Sequence, residues 1–213
     1  TRYIGDWSSD VCSSDLVRGG GRDAPAPQTP IDTTMNLPPQ PAEARLADRL
    51  AQGLAAVQRR ADIMSLLSYR QTAGGAEERG AGAAWLRPLL GEVAAERLVI
   101  SSGAQAALAA ALTLLARPGD AVITEALTYP GFKALAAHYG VAIHGVAMDG
   151  EGMIPEALAE ACARMTPKAI YCTPTIHNPT TATMSDARRA QIVTIARRHA
   201  IPIIEDEIGR AHV

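Results

Sequence analysis

The chain has 213 residues, of which 47% are hydrophobic, and its formal net charge at pH 7 is −2. This length suits one domain of ordinary size or part of a larger one. The nearly balanced charge gives no sign of a nucleic-acid or acidic-membrane partner, and no apolar run approaches membrane-spanning length. The numbers predict a soluble globular protein.

The cysteines indicate neither a metal-binding protein nor one held together by a disulfide framework. Cys12, Cys162 and Cys172 fit no metal-ligand spacing, and an odd number of cysteines does not indicate a disulfide framework. Cys172 lies in an apolar run and is expected to be a small buried residue. We therefore predict a reducing, cytoplasmic setting and no metal site.

The two ends of the chain do not resemble folded protein. Residues 1–16 are rich in Ser and Asp, lack a signal-peptide pattern and look like translated sequencing adapter, and residues 207–213 look similar. We interpret both as non-native and the chain as an internal fragment; native disordered termini are the alternative. The Gly, Ala and Pro residues of 17–30 predict a flexible linker with something joined on its amino side.

Residues 31–92 are predicted to form an extended and helical N-terminal segment. The prolines of Met35–Pro41 exclude a helix interior. Apolar residues at helical spacing predict an amphipathic helix over Glu43–Arg60. A glycine-broken loop, Tyr69–Gly75, precedes a second helix over Glu77–Leu90, which is expected to end at Gly91.

From residue 93 short apolar strands alternate with helices. The strands are predicted at 98–100, 121–124, 141–146, 169–172 and 201–206, and the four helices end at residues 116, 139, 164 and 199. Residues 148–152 are expected to form a turn, and Ser185 is a good N-cap for the last helix. Alternation of this kind predicts an α/β fold, with a mainly parallel sheet covered by helices on both faces.

Two strand-to-helix turns carry candidate binding residues. Gly103, Ala104 and Gln105 are small or polar residues at a helix N-terminus, where backbone N–H groups can bind a phosphate. An ordinary tight turn is the alternative and is favoured for this motif alone. Tyr129 precedes Pro130 at the next such turn and could present its ring face to a planar ligand, or simply cover the sheet edge.

Two further candidates follow the last two strands. Asn178 can donate to a ligand oxygen, although plain Asn-Pro turn chemistry is favoured for this motif alone. Asp206 ends a nearly uncharged strand, where a carboxylate requires a partner. A pyridinium nitrogen is one such partner, and an arginine or a helix end is the alternative. Glu205 is the weaker candidate because it points to the opposite side. His138, His144, His177 and His199 are expected to be surface or satisfied core residues, although His177 lies in the ligand-edge loop.

Taken together, the phosphate turn, loop aromatic, Asn-Pro pair and strand-end Asp resemble fold-type-I pyridoxal-phosphate (PLP) enzymes, the aspartate-aminotransferase-like group. The resemblance covers residues 31–206 and implies that 93–206 is part of the PLP-binding large domain. It implies phosphate contacts from Gly103, Ala104 and Gln105, ring stacking on Tyr129, a bond from Asn178 to the ring's 3-oxygen, and Asp206 at the ring nitrogen. Tyr69 would reach the cofactor phosphate of a neighbouring subunit, which implies a homodimer with shared sites.

The amino-acid sequences of three motifs resemble those of the aminotransferase-like domain of MocR-type regulators. These motifs are Asn36–Pro39, Ala126–Gly131 and Asn178–Ser185. That family places a GntR-type winged helix before a linker, so DNA binding would need a domain that this sequence does not contain.

The sequence departs from the family at its chemical centre. The Schiff-base lysine is expected downstream of Asp206, and neither Lys133 nor Lys168 matches its position. No catalytic residue is therefore assigned, and the chain as given is expected to be inactive in transamination and to bind PLP at most weakly and noncovalently. A transaminase acting on an amino acid or amine and the effector-sensing domain of a regulator both remain open. A dinucleotide or sugar-nucleotide binder is disfavoured because no G-x-G-x-x-G turn is present.

Overall fold

The computed structural model describes residues 41–59, 64, 67–69 and 71–207. Several predictions therefore lie outside the described residues: the non-native segment 1–16, the linker 17–30, the extended lead-in and its Asn36–Pro39 motif, and all of the tail except Glu207. In the described part of the chain, no helix is long and apolar enough to cross a membrane.

The chain divides into two compact units, residues 1–49 and 50–213. The described residues of the first unit form a 3-10 turn, Ala42–Ala44, and the start of helix α1, Leu46–Gln58. The predicted helix is confirmed, but it begins three residues later than Glu43. The reason is local: Arg45 adopts the left-handed conformation (φ 45°) and separates the 3-10 turn from the helix.

The second unit contains the remaining helices and all of the described strands. Helix α2, Ala76–Leu90, ends at Gly91 with φ 69°, as predicted. A short 3-10 turn follows at Ala95–Arg97. The later elements are α3 Ala104–Leu115, β1 Ala121–Glu125, α4 Pro130–His138, β2 Ala142–Val146, β3 Met148–Asp149, β4 Gly152–Met153, α5 Pro155–Arg164, β5 Ala169–Cys172, α6 Asp186–Arg198 and β6 Ile203–Glu205.

The main sheet has four parallel strands in the order β2-β1-β5-β6. Register places Ile123 opposite His144 on one side and Ile170 on the other. Strands β3 and β4 form a separate antiparallel hairpin at the predicted turn. The predicted α/β class with a mainly parallel sheet is confirmed.

The side chains of successive strand residues pack into two different hydrophobic cores, one on each face of the sheet. On one face, Val122, Ala169 and Tyr171 pack with residues of α3 and α4, including Leu112 and Phe132. On the other face, the intervening strand residues pack with α5 and α6; they include Ile123, Ile170 and Cys172. This alternation explains why β5 reads as a continuous apolar run, since both of its faces are covered.

The predicted buried strand at 98–100 is wrong. These residues belong to neither of the described sheets, and Val99 is 72% exposed. The backbone N–H of Ile100 instead donates to the carbonyl of Ala73 (3.0 Å). An apolar triplet has the composition of a strand, but strand formation needs a neighbour to pair with, and a short apolar run alone does not specify one.

The predicted N-cap of α6, Ser185, can be tested by substitution. The Ser185 hydroxyl accepts a hydrogen bond from the Arg188 N–H (3.2 Å). Ser185→Ala is expected to lower the free energy of unfolding by about 1 kcal/mol, because one N–H of the first turn loses its acceptor. Urea denaturation measures the loss. Ser185→Thr, which keeps the hydroxyl that also donates to Glu151, is the matched control, and an equal loss in both variants would contradict the capping role.

Candidate functional site

The carboxyl ends of the parallel strands bring the predicted site residues to one edge of the sheet. Tyr129 lies between β1 and α4, Asn178 follows β5, and Asp206 directly follows β6. Because β1, β5 and β6 are consecutive neighbours in the sheet, their ends lie side by side. Open parallel sheets bind ligands at this edge.

Asp206 is held in a buried position by the neighbouring strand. Its side chain is only 8% exposed, its N–H donates to the Cys172 carbonyl (2.9 Å), and its Oδ2 accepts from the Tyr171 hydroxyl (2.8 Å). The Tyr171 ring stacks on Phe132 with centroids 3.7 Å apart. Burial is the main cause of the raised pKa of Tyr171, so its hydroxyl stays protonated and keeps donating.

Tyr171 was not among the predicted site residues, because β5 is an otherwise apolar strand. A buried tyrosine nevertheless requires a partner for its hydroxyl. That requirement was the available signal: a tyrosine inside a core strand, one strand away from a carboxylate, predicts such a pair.

A groove joins Asp206 to the first turns of α3. Its volume is about 350 Å³. It is lined by Ala104, Ala107, Leu108, Ala111, Ile204, Glu205, Asp206 and Glu207. The structure therefore brings together two of the predicted residues, Ala104 and Asp206, although 102 positions separate them in sequence.

The N-terminus of α3 is preceded by a backbone conformation that favours glycine. Gly103 has φ 109°, which is strained for other residues, and it provides no capping side chain. Gly103, Ala104 and Gln105 are all exposed. A helix N-terminus of this kind, with small residues around it, allows an anion to approach the backbone N–H groups.

Gln105 and Tyr129 are also brought together. The Gln105 side-chain amide donates to the Tyr129 hydroxyl (2.9 Å). Both side chains pack over Gly131, where an added Cβ would lie 2.5 Å from Gln105 Nε2 and 2.5 Å from the Tyr129 ring. A side chain at position 131 would therefore displace this pair.

Asn178 lies in a loop fixed by its own hydrogen bonds. The His177 N–H donates to the Ala182 carbonyl (2.8 Å), and the Met184 N–H donates to the Pro174 carbonyl (2.9 Å). The peptide bond from Asn178 to Pro179 is cis. The Asn178 side chain is half-buried between these fixed points.

The remaining predicted residues lie apart from this edge or have other partners. The Tyr69 side chain is fully exposed. Glu205 forms an ion pair with Arg189, which also bonds Glu207 and Thr175, and it lines the same groove as Asp206.

A second buried carboxylate, Glu125, ends β1 and was not predicted. It is 0% exposed, and burial raises its pKa from 4.5 to about 7. Its Oε1 accepts from the Thr173 N–H (3.4 Å), and its Oε2 lies 4.0 Å from Nε2 of His177.

His177 is a core residue and not a surface one, since it is 2% exposed. Burial lowers its pKa, and the nearby Leu127 carbonyl only partly offsets this fall. Among the described residues, no partner reaches its Nε2 with hydrogen-bond geometry. The expected satisfied core role is therefore incomplete on the side of the ring that faces Glu125.

Sequence comparison identifies relatives of two kinds. The family model described as aminotransferase class I and II matches residues 36–208. An uncharacterised HTH-type transcriptional regulator of Bacillus subtilis is 35% identical over 115 residues, covering 54% of this chain and 25% of that protein. The aminotransferase swnA of Metarhizium robertsii is 32% identical over 158 residues, covering 68% of this chain and 31% of that protein. The chain thus spans about a quarter to a third of the length of these curated relatives.

Solved structures show the same fold. An archaeal alanine:glyoxylate aminotransferase is 32% identical with a TM-score of 0.67, covering 77% of this chain and 40% of that one. The α-aminoadipate aminotransferase LysN of Thermus thermophilus, solved with N-(5'-phosphopyridoxyl)-L-leucine, is 25% identical with a TM-score of 0.68, covering 76% of this chain and 40% of that one.

Proposed function

The chain belongs to the aminotransferase class I and II family, and from that premise we propose that residues 93–206 bind pyridoxal phosphate at the carboxyl edge of the sheet. The observation that carries the proposal is the buried Asp206 carboxylate, which accepts from Tyr171 at one side of a groove whose other side is the first turns of α3. The phosphopyridoxyl ligand of the similar Thermus enzyme supports this choice of cofactor.

The residues present fit this cofactor. It combines a phosphate with a pyridine nitrogen that gains a proton, and the groove combines a helix N-terminus with a buried carboxylate. We assign the phosphate to the backbone N–H groups around Gly103, Ala104 and Gln105. Asp206 would hold a proton on the ring nitrogen, and the Asn178 amide would donate to the 3-oxygen.

Tyr129 completes the proposed site. Its ring is half-buried and fixed through its hydroxyl by Gln105, so it can cover one face of a planar ligand without further ordering. When bound, pyridoxal phosphate supplies an electron sink for reactions at the carbon that bears the amino group. The chain's own contribution is to orient the ring and to keep its nitrogen protonated.

We further propose that the full-length protein transfers amino groups between an amino acid and a keto acid, and that it acts as a homodimer. The fully exposed Tyr69 supports the second point, because its proposed role is to reach the phosphate in the other subunit. The cytoplasmic setting stays a prediction from the cysteine content.

The effector-sensing domain of a MocR-type regulator is the second candidate function. The 35% identity to an HTH-type regulator supports it. Both functions use the same cofactor site, so they differ in the segments joined to this domain. Sequencing the gene on both flanks distinguishes them: a winged helix upstream of residue 31 supports the regulator, and a start codon at that point contradicts it.

Titration of the purified chain with pyridoxal phosphate tests the cofactor assignment. We expect saturable binding, seen in the cofactor's visible absorbance, and competition by inorganic phosphate, because the phosphate subsite is built from backbone N–H groups. Binding without saturation would contradict the assignment.

The packing at Gly131 predicts a specific loss. Gly131→Ala is expected to weaken pyridoxal phosphate binding roughly tenfold, because the new methyl group must displace Gln105 and the Tyr129 ring. Alanine has a higher helix propensity than glycine, so a loss of α4 would not be its cause. Gly150→Ala is the matched control, since no atom lies within 4 Å of its added Cβ. Equal affinities of the two variants would contradict the proposed role of this pair.

A further inference from the structure

Glu125 connects the end of β1 to the loop that carries Asn178. Its Oε1 accepts from the N–H of Thr173, the first residue after β5, at 3.4 Å. Its Oε2 lies 4.0 Å from Nε2 of His177, the residue directly before Asn178. Both side chains are almost completely buried. One carboxyl group therefore faces the loop at two points, four residues apart.

The hydrogen bonds of His177 assign its tautomer. The N–H of Thr180 can only donate, and it is directed at Nδ1 of His177 (3.4 Å), whose other contact is the Thr180 hydroxyl (2.8 Å). Nδ1 is therefore the acceptor. Because burial lowers the pKa of His177, the ring is neutral and its proton is on Nε2. An N–H donor thus faces both the Leu127 carbonyl, which raises the pKa of His177, and the Glu125 carboxyl group, which is at a distance that requires a bridging water or a small shift for a hydrogen bond.

Burying a carboxyl group at this position costs free energy, and contacts with the loop can offset that cost. Over the described ranges of the chain, Oε2 of Glu125 and Nε2 of His177 are buried without hydrogen-bond partners, as is the hydroxyl oxygen of Thr128. An apolar side chain of similar volume would avoid the cost of burying the carboxyl group. The Glu125 carboxyl group lies against the segment that connects β5 to Asn178.

We propose that Glu125 is a positioning residue for Asn178: its carboxyl group holds the loop through the Thr173 N–H and the His177 ring. The loop position in turn sets where the Asn178 amide lies relative to the groove beside Asp206. This inference rests on the proposed function only in taking Asn178 as a cofactor ligand; the contact between Glu125 and the loop is independent of any ligand.

Glu125→Met separates positioning from packing. Methionine keeps the volume but lacks the oxygen that accepts from the Thr173 N–H and the oxygen that faces the His177 ring. We expect the amides of Thr173, His177 and Thr181 to exchange with deuterium about tenfold faster, while amides of β2 are unchanged. Pyridoxal phosphate binding should weaken by a similar factor, with global stability unchanged or higher because a buried acid is removed. Glu125→Gln keeps an acceptor for Thr173 and should give intermediate values, and Glu156→Gln, at an exposed position on α5, should match the wild type.

The outcomes are distinct. Unchanged loop exchange in Glu125→Met, or faster exchange without weaker binding, would overturn the positioning role. Failure of the wild-type chain to bind pyridoxal phosphate would contradict the proposed function instead, and the exchange rates would still decide the contact with the loop. If Glu125→Met does not fold, the ring 15N shifts of His177 in the wild type decide: a proton on Nε2 supports the inference, and a proton on Nδ1 overturns it.

Discussion

Glu125→Gln is expected to remove about 3 kcal/mol of pH dependence from the stability of the folded chain. Burial raises the pKa of Glu125 from 4.5 to about 7, and the hydrogen bond from Thr173 only partly offsets this rise. Between these two pH values the folded state binds more protons at this carboxyl than the unfolded state does. Its contribution to stability is therefore fully present below pH 4.5 and is lost as the pH rises through about 7.

Glutamine is neutral at every pH, so the variant avoids the cost of a buried charge under alkaline conditions. Urea denaturation of both proteins at a series of pH values measures the effect as the difference between the two stability curves. The free energy of unfolding of the variant, relative to that of the wild type, should increase as the pH rises. Glu160→Gln, at an exposed carboxyl group on α5, is the matched control and should run parallel to the wild type. Parallel curves for Glu125→Gln would show that the carboxyl group is not buried as described.

Asp206→Asn is expected to weaken pyridoxal phosphate binding roughly 10- to 100-fold, the range for losing a hydrogen bond to a charged group. Asparagine keeps the shape and can still accept from the Tyr171 hydroxyl, so the fold should be preserved. It cannot stabilise a protonated ring nitrogen, because it carries no charge. Tyr171→Phe, which removes one hydrogen bond to Asp206, should give a smaller loss in the same direction.

Absorbance titration of each variant with the cofactor measures these affinities. Asp186→Asn is the control, because this exposed carboxylate lies at the start of α6. If Asp206→Asn binds as tightly as the control, Asp206 does not contact the ring nitrogen. If Asp206→Asn and Asp186→Asn lose affinity equally, the loss reflects the change in net charge and not a contact with the cofactor.

The sequence predicted those parts of the fold that depend on neighbouring residues. Pro155 and Arg164 bound α5 as expected, since a proline in the first turn and a polar end are local signals. The strand over Ala169–Cys172 was also correct, because its continuous apolar character reflects burial on both faces. The triplet at 98–100 was misassigned since pairing is not a local property.

Candidate site residues could be selected one by one from the sequence, but the contacts between them could not. The strand-end rule placed Asp206 and Asn178 at one edge. It did not reveal that Tyr171 holds Asp206, or that Glu125 faces His177, since each pair joins different strands or loops. A tyrosine and a glutamate in otherwise apolar strands were visible signals, but their partners depend on the register of the sheet.

The protonation state of the cofactor's ring nitrogen shows directly whether Asp206 contacts the ring. We would bind 15N-labelled pyridoxal phosphate to the wild-type chain and to Asp206→Asn and record the ring nitrogen shift at about pH 9, where only a carboxylate neighbour keeps the proton in place. We expect a protonated nitrogen in the wild type and an unprotonated one in the variant. An unprotonated nitrogen in the wild type, or the same shift in both proteins, would contradict the assignment of Asp206 to the ring.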